Sequence, residues 1–249
     1  MSEYAIQPLM TRALRLSLRN VEGLMTALIL PVIMMLMFVY LFGGAITTGT
    51  RYVDYVVPGV LLVCIGWGSG TTAITVAHDL ASGIIDRFRS MDVRGEALIS
   101  GHVVASVARN LLSAALVLVV AFVIGFRPHA DAPHWLLAAG VLALFVLALS
   151  WFAAAIGIVA RTPEMAQGIS FLVSFLPYVS SAFVPIHTMP SALQVVARNQ
   201  PATAVVDAIR ASLTGGHVGA TAWHALAWSI GIIVVSIALS GILFRRRAR

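Results

Sequence analysis

The sequence predicts an all-α fold, a polytopic integral membrane protein with six transmembrane helices. Six apolar runs, 24–43, 55–77, 103–126, 135–160, 166–185 and 222–244, carry that prediction. Each has roughly the 20 residues that a helix needs to cross a bilayer core of about 30 Å. The composition agrees: 59% of the residues are hydrophobic and 10% are charged, with a mean hydropathy of +0.94. Such a balance suits lipid and leaves too little polar surface for a water-soluble core. The runs are also continuously apolar, which excludes the alternating pattern of a membrane barrel. Helices remain, because each satisfies its backbone hydrogen bonds within the span.

Taken in order, residues 1–23 place Leu9, Ala13, Leu16 and Val21 on one side of a helix and Arg12, Arg15 and Arg19 on another. That pattern predicts an interfacial helix with its arginines towards anionic headgroups, and the run that follows is too long for a cleavable signal. Pro31 in the first span and Pro177 in the fifth each remove a backbone donor, which kinks a helix unless a neighbour re-satisfies the freed carbonyl. Gly66 and Gly70 in the second span permit close approach of a helix that the sequence does not identify. The connections 44–54, 127–134 and 161–165 are too short for a domain, so residues 1–249 form a single transmembrane domain. Two polar stretches have room for work, 78–102 and 186–221.

All sixteen basic residues are arginine. With the N-terminus inside, Arg12, Arg15, Arg19, Arg87, Arg89, Arg94, Arg161, Arg245, Arg246, Arg247 and Arg249 fall on one side, and Arg51, Arg127, Arg198 and Arg210 on the other. This positive-inside bias makes both termini cytoplasmic. It also accounts for the net charge of +6 without nucleic acid, since the arginines flank apolar spans. Arg109, about two turns inside the third span, either snorkels out or pairs with another helix.

The predicted spans contain no acidic residue, whereas pumps driven by protons or sodium keep ionisable groups at that depth. The energy therefore comes from elsewhere. Cys64 is alone and reads as a small apolar filler. His78, His102, His129, His134, His187, His217 and His224 lie on both faces without an i, i+4 pair, so no metal site is expected. Ser150, Ser170 and Ser174 are at membrane depth with no histidine clearly facing them, which argues against an intramembrane hydrolase.

In the cytoplasmic stretch, Leu80, Ile84, Phe88 and Met91 recur at helical spacing among Asp79, Asp86, Arg87 and Arg89. The stripe suits both packing on the membrane surface and docking into a groove of a soluble partner. The external stretch runs from Phe183-Val184-Pro185 through Met189-Pro190 and Asn199-Gln200-Pro201 to Asp207-Ala208-Ile209-Arg210 and Gly215-Gly216. Its prolines and glycines predict short helices over 191–199 and 202–213, a re-entrant hairpin at the outer leaflet. Asp207 and Arg210, three apart, suit a local ion pair.

These motifs, in order and on the corresponding membrane sides, resemble the permease subunits of type-2 ABC exporters, particularly the daunorubicin-resistance-like group. The resemblance covers nearly the whole chain and starts at Arg19-Asn20. Gly83, Arg87, Arg89 and Arg94 match the family's cytoplasmic signature, while Asp79 stands where glutamate is usual and Asp92 where proline is usual. Gln200 is inserted into the family's usual Asn-Pro pair formed by Asn199 and Pro201.

The resemblance implies that two six-helix permeases pair, as a homo- or heterodimer, and that each docks a nucleotide-binding ATPase subunit. ATP and Mg belong to that subunit, and this chain binds no cofactor. Asp79, Leu80, Gly83, Ile84, Arg87, Phe88, Arg89, Met91 and Arg94 would form the coupling helix, and Pro185, Met189, Pro190, Asn199, Pro201, Asp207 and Arg210 the external hairpin. Independently, a chain without lysine cannot hold a G-x-x-x-x-G-K-[ST] phosphate loop. The chain thus reads as a transport subunit of the bacterial plasma membrane and not as an enzyme. Members of the family export drugs, lipids and lipid-linked glycans. Met34 and Phe38 in the first span and Phe171, Phe175 and Tyr178 in the fifth offer adaptable apolar faces for such cargo. Drug or lipid efflux is the expectation; glycan export, or a non-transport scaffold with this fold, is the alternative.

Overall fold

A computed structural model of the chain describes residues 21–46, 48–82, 95–216 and 218–247. The described elements are helical throughout: α1 (Val21–Met37), a π-helical turn (Phe38–Phe42), α2 (Tyr52–Ala81), α3 (Gly95–Val123), α4 (Ala132–Val159), α5 (Pro163–Ser174), α6 (Ser191–Arg198), α7 (Pro201–Thr214) and α8 (Gly219–Arg247). Short 3₁₀ turns at Leu176–Val179 and Ile186–Thr188 link α5 to α6. The interfacial helix expected over 1–23 lies almost wholly outside the described residues.

Among the described residues four helices, α2, α3, α4 and α8, are long and apolar enough to cross a membrane. α2 is the central post. It packs against α1, α3, α4, α5 and α7, and α4 in turn packs against α8. The core follows α2, where Val56, Val57, Val60, Leu62, Val63, Cys64 and Ile65 are inaccessible to solvent. α8 buries little of its surface, as expected of a helix facing lipid.

Local chemistry sets the helix starts. Asp131 caps α4 by accepting the His134 N–H, Thr162 caps α5 by accepting the Met165 N–H, and prolines sit at the first turns of both helices and of α7. Gly215, at φ +76°, closes α7 in the left-handed conformation. Small residues set the closest approaches. Gly66 and Gly70 of α2 lie against Ser174 and Ser170 of α5, which identifies the partner of that glycine pair.

Two predicted spans come out differently. The first continues as α-helix through Pro31 but passes into a π turn at Phe38, where Val39 O approaches Gly43 so closely that a Cβ would stand 2.2 Å away. The fifth predicted span, 166–185 with a kink at Pro177, instead ends its helix at Ser174. Pro177 lacks an N–H and disfavours helical backbone at Leu176. The Ser174 hydroxyl turns back to Ser170 O, and the Ser180 hydroxyl to Pro177 O. From Phe175 to Val184 the chain is a series of turns.

Candidate functional site

Breaking the helix after Ser174 brings aromatic rings from three parts of the fold into one ladder. Phe42 lies 5.4 Å from Phe38 in the π turn, and Phe38 stacks on Phe183 at 4.4 Å. Phe183 stacks on Tyr178 at 5.3 Å, and Tyr178 meets Phe175 at 5.4 Å. Phe175 contacts Phe171 edge-on at 4.8 Å, and Phe171 meets Trp67 of α2 at 5.9 Å. Pairs at such separations contribute about 0.5–1.5 kcal/mol each beyond area burial. Phe183 is the buried hub at 4% exposure, whereas Phe42, Phe171 and Phe175 keep 40–48% of their surface open. The result is a fixed, apolar, π-rich surface with accessible ring faces.

Phe38, Phe171, Phe175 and Tyr178, singled out from the sequence, are therefore joined in space. Met34 lies one turn before Phe38 and is half-buried. Sequence reasoning missed Phe42 and Trp67, and named Phe183 only as the start of the external stretch. Trp67 stands between Gly66, which faces α5, and Gly68, which faces Asn110 of α3, a large ring flanked by close-approach glycines, and that was its available signal.

Residues of the predicted external hairpin form a polar clamp beside the ladder. Arg210 of α7 donates to Asp207 Oδ1 at 2.9 Å, to Ser181 O at 2.7 Å and twice to Tyr55 O at 3.1 Å. Its guanidinium lies 3.8 Å from the centre of the Tyr55 ring. The Ser181 hydroxyl donates to the same Asp207 oxygen at 2.6 Å. The ion pair expected of Asp207 and Arg210 is thus one part of a wider network. Tyr52 adds an O–H bond to Phe183 O at 2.9 Å, and the Gln200 amide donates to Val179 O. Pro190 leads into α6, Pro185 O accepts from Thr188, Met189 O accepts from Gln194, Asn199 closes α6 and Pro201 opens α7.

Charge also enters helix α2, which begins at Tyr52 and so before the predicted span. Asp54, 8% exposed in the first turn, pairs with Arg51 at 2.8 Å and accepts the Arg127 N–H at 3.1 Å. These partners let α2 start with a carboxylate inside it, so the helix is not free of acids at its N-terminal end.

At the other end α2 runs to Ala81, beyond the predicted limit at 77. Asp79 and Leu80 consequently belong to its last turns and do not begin a separate surface helix. Leu80 packs against the buried cluster of Val76, Ile99, Val103 and Ile158. Asp79 lies 3.0 Å from His102 Nε2 of α3 and 3.7 Å from His78 Nδ1. Gly83, Ile84, Arg87, Phe88, Arg89, Met91 and Arg94 lie outside the described residues.

Between the two ends, Arg109 does not snorkel. It donates to Gly68 O at 3.1 Å and to the Thr72 hydroxyl at 2.9 Å on α2. Asn110 beside it donates to Ser69 and Ser106, and Ser150 of α4 donates to Ser106 at 3.0 Å. Ser150 is therefore a structural link. Among the described residues, no three His, Cys, Asp or Glu side chains gather as a metal cage would require.

The comparisons with known proteins agree with one another. The ABC-2 type transporter model matches residues 4–214. The chain is 30% identical over 229 residues to the daunorubicin resistance ABC transporter permease protein DrrB1 of Streptomyces coeruleorubidus, covering 90% of this chain and 80% of that one. It is 22% identical over 222 residues to the probable doxorubicin resistance ABC transporter permease protein DrrC of Mycobacterium tuberculosis, covering 88% of this chain and 80% of that one. A family match of this extent, on a fold with several membrane-length helices, makes the chain a multi-pass membrane protein that belongs to the ABC-2 type transporter family.

Proposed function

We propose that this chain is the permease subunit of an ATP-driven exporter that moves a hydrophobic or amphipathic substrate, a drug or a lipid, across the bacterial plasma membrane. The aromatic ladder carries the substrate class. Its accessible faces offer dispersion and stacking to planar apolar cargo without the cost of burying a charge. The absence of lysine supports ATP hydrolysis by a separate subunit, since no phosphate loop can form here. That subunit engages the segment 79–94, and a second permease completes the transport path. In this arrangement α1 with its π turn, α2, α3, α4, the stretch 163–185 and α8 make the six crossings. Both termini are cytoplasmic, and α6 and α7 form the re-entrant outer hairpin.

The test uses the permease co-expressed with its ATPase partner in sealed vesicles and daunorubicin as the transported probe. ATP-dependent accumulation is expected, with no ATP hydrolysis by the permease alone. Phe175→Ala should raise the apparent KM about 10-fold, equivalent to about 1.4 kcal/mol of lost binding. Phe88→Asp should abolish co-purification of the ATPase. Unchanged KM in the first variant overturns the ladder as a substrate surface, and undiminished co-purification in the second overturns the docking assignment.

A further inference from the structure

A break in a helix at membrane depth exposes carbonyls that no longer have an intrahelical donor, and in lipid no water replaces it. The turns after Ser174 create such carbonyls at Val179, Ser181 and Phe183. Each receives a side-chain donor from a different place: Gln200 on Val179 O, Arg210 on Ser181 O and Tyr52 on Phe183 O. The fit is close. Gly59 of α2 faces Ala182 so tightly that a Cβ on the glycine would stand 2.5 Å from the Ala182 Cβ. The two residues flanking Ala182 are therefore held by α7 and α2, and one of them, Phe183, is the hub between Phe38 and Tyr178.

We infer that Arg210 and Tyr52 are positioning residues for the substrate surface: by holding the carbonyls of Ser181 and Phe183 they set where the Phe183 ring stands, and through it the register of the whole ladder. Neither side chain belongs to the ladder, so the effect is indirect. Arginine is needed at 210 because one planar fork reaches Asp207, Ser181 O and Tyr55 O while stacking on the Tyr55 ring. A lysine ammonium has one point of attachment and cannot span those acceptors. Asp207 holds the fork in place and takes a second bond from the Ser181 hydroxyl, so that α7 grips residue 181 through both its backbone and its side chain.

The inference rests on the ladder being the substrate surface, and its test separates the two. In the co-expressed complex with daunorubicin as probe, Tyr52→Phe and Arg210→Lys should each raise the apparent KM about 10-fold while turnover at saturation stays near wild type. Purely structural damage would instead lower the amount of active complex and hence the turnover. A thiol at Val184→Cys, in a Cys64→Ala background, should react faster with an impermeant maleimide when Arg210→Lys is added. If Phe175→Ala raises KM but Tyr52→Phe and Arg210→Lys do not, the positioning role is overturned and the ladder reading stands. If none of the three raises KM, the ladder reading itself fails. Should Arg210→Lys fail to assemble, Tyr52→Phe decides alone, because it deletes one hydroxyl and keeps the ring.

Discussion

α4 and the stretch 163–185 follow one another in the chain, and both are apolar enough to read as membrane spans. α4 is an uninterrupted helix of 28 residues, whereas the helix of the second stretch ends after 12. The difference lies in where proline and serine fall. In α4 proline occupies only the first turn, where an N–H is spare. In the second stretch Pro177 sits where the helix would have needed a donor, and Ser170, Ser174 and Ser180 surround the break. A continuous helix asks its neighbours only for complementary packing. A broken one must also borrow hydrogen-bond donors, and Tyr52, Gln200 and Arg210 provide them. The contrast explains why Tyr52, Gln200 and Arg210 converge on residues 179–183: they serve the carbonyls that the break leaves open.

The largest effect is expected where the broken stretch is seated. Gly59→Leu places new atoms against the backbone of Ala182, whose Cα and O already lie 2.9 Å from a Cβ at position 59. Overpacking of that kind costs about 3 kcal/mol or more, because backbone cannot step aside as a flexible side chain does. On α4 a Cβ at Gly140 would meet nothing within 4 Å, so Gly140→Leu should be close to neutral. Thermal unfolding of the two variants in the same detergent measures the difference. Equal melting temperatures would mean that the turn at 181–183 is not locked to α2.

A smaller effect should come from the seam between α2, α3 and α4. A Cβ at Gly68 would lie 1.9 Å from Asn110 Oδ1, and Asn110 is fully buried. Gly68→Ala should therefore push the amide away from Ser69 and Ser106 and cost about 2 kcal/mol. Adding Asn110→Ala removes the clash, so the double variant should be less unstable than the sum of the two single ones. Strict additivity in that cycle would show that the two residues do not compete for the same space.

The sequence made the continuous helices legible because run length alone decides them: nothing in 135–160 competes with a helix. Helix ends with their own chemistry were readable too, as at Pro190, Pro201 and Gly215. The break after Ser174 was not readable, although Pro177 was visible. A proline within an apolar run either kinks a helix or ends it, and here the outcome depends on donors more than twenty residues away in the chain. The start of α2 shows the same limit. Asp54 sits inside a helix only because Arg51 and the Arg127 backbone meet its carboxylate. Four of the ladder residues could be nominated one by one as apolar faces, but the hub Phe183 acquires its role from Phe38 in the π turn and from the turn at Tyr178, which no local pattern encodes.

The mildest prediction sharpens the contrast from the side of α4. Ser150 is the α4 residue that joins the polar seam, donating to the Ser106 hydroxyl at 3.0 Å in a fully buried position. In Ser150→Ala the Ser106 oxygen still accepts from Asn110, so no acceptor is left bare, and the helix keeps every backbone bond of its own. The loss should be close to the average for an interhelical hydrogen bond in a membrane, about 0.6 kcal/mol. Tyr52→Phe deletes a hydroxyl of similar geometry, but one serving a backbone carbonyl in the broken stretch, so it should cost more. Unfolding both variants under identical detergent conditions compares them directly. A loss in Ser150→Ala equal to or above that in Tyr52→Phe would contradict the claim that a continuous helix depends less on borrowed polar contacts than an interrupted one.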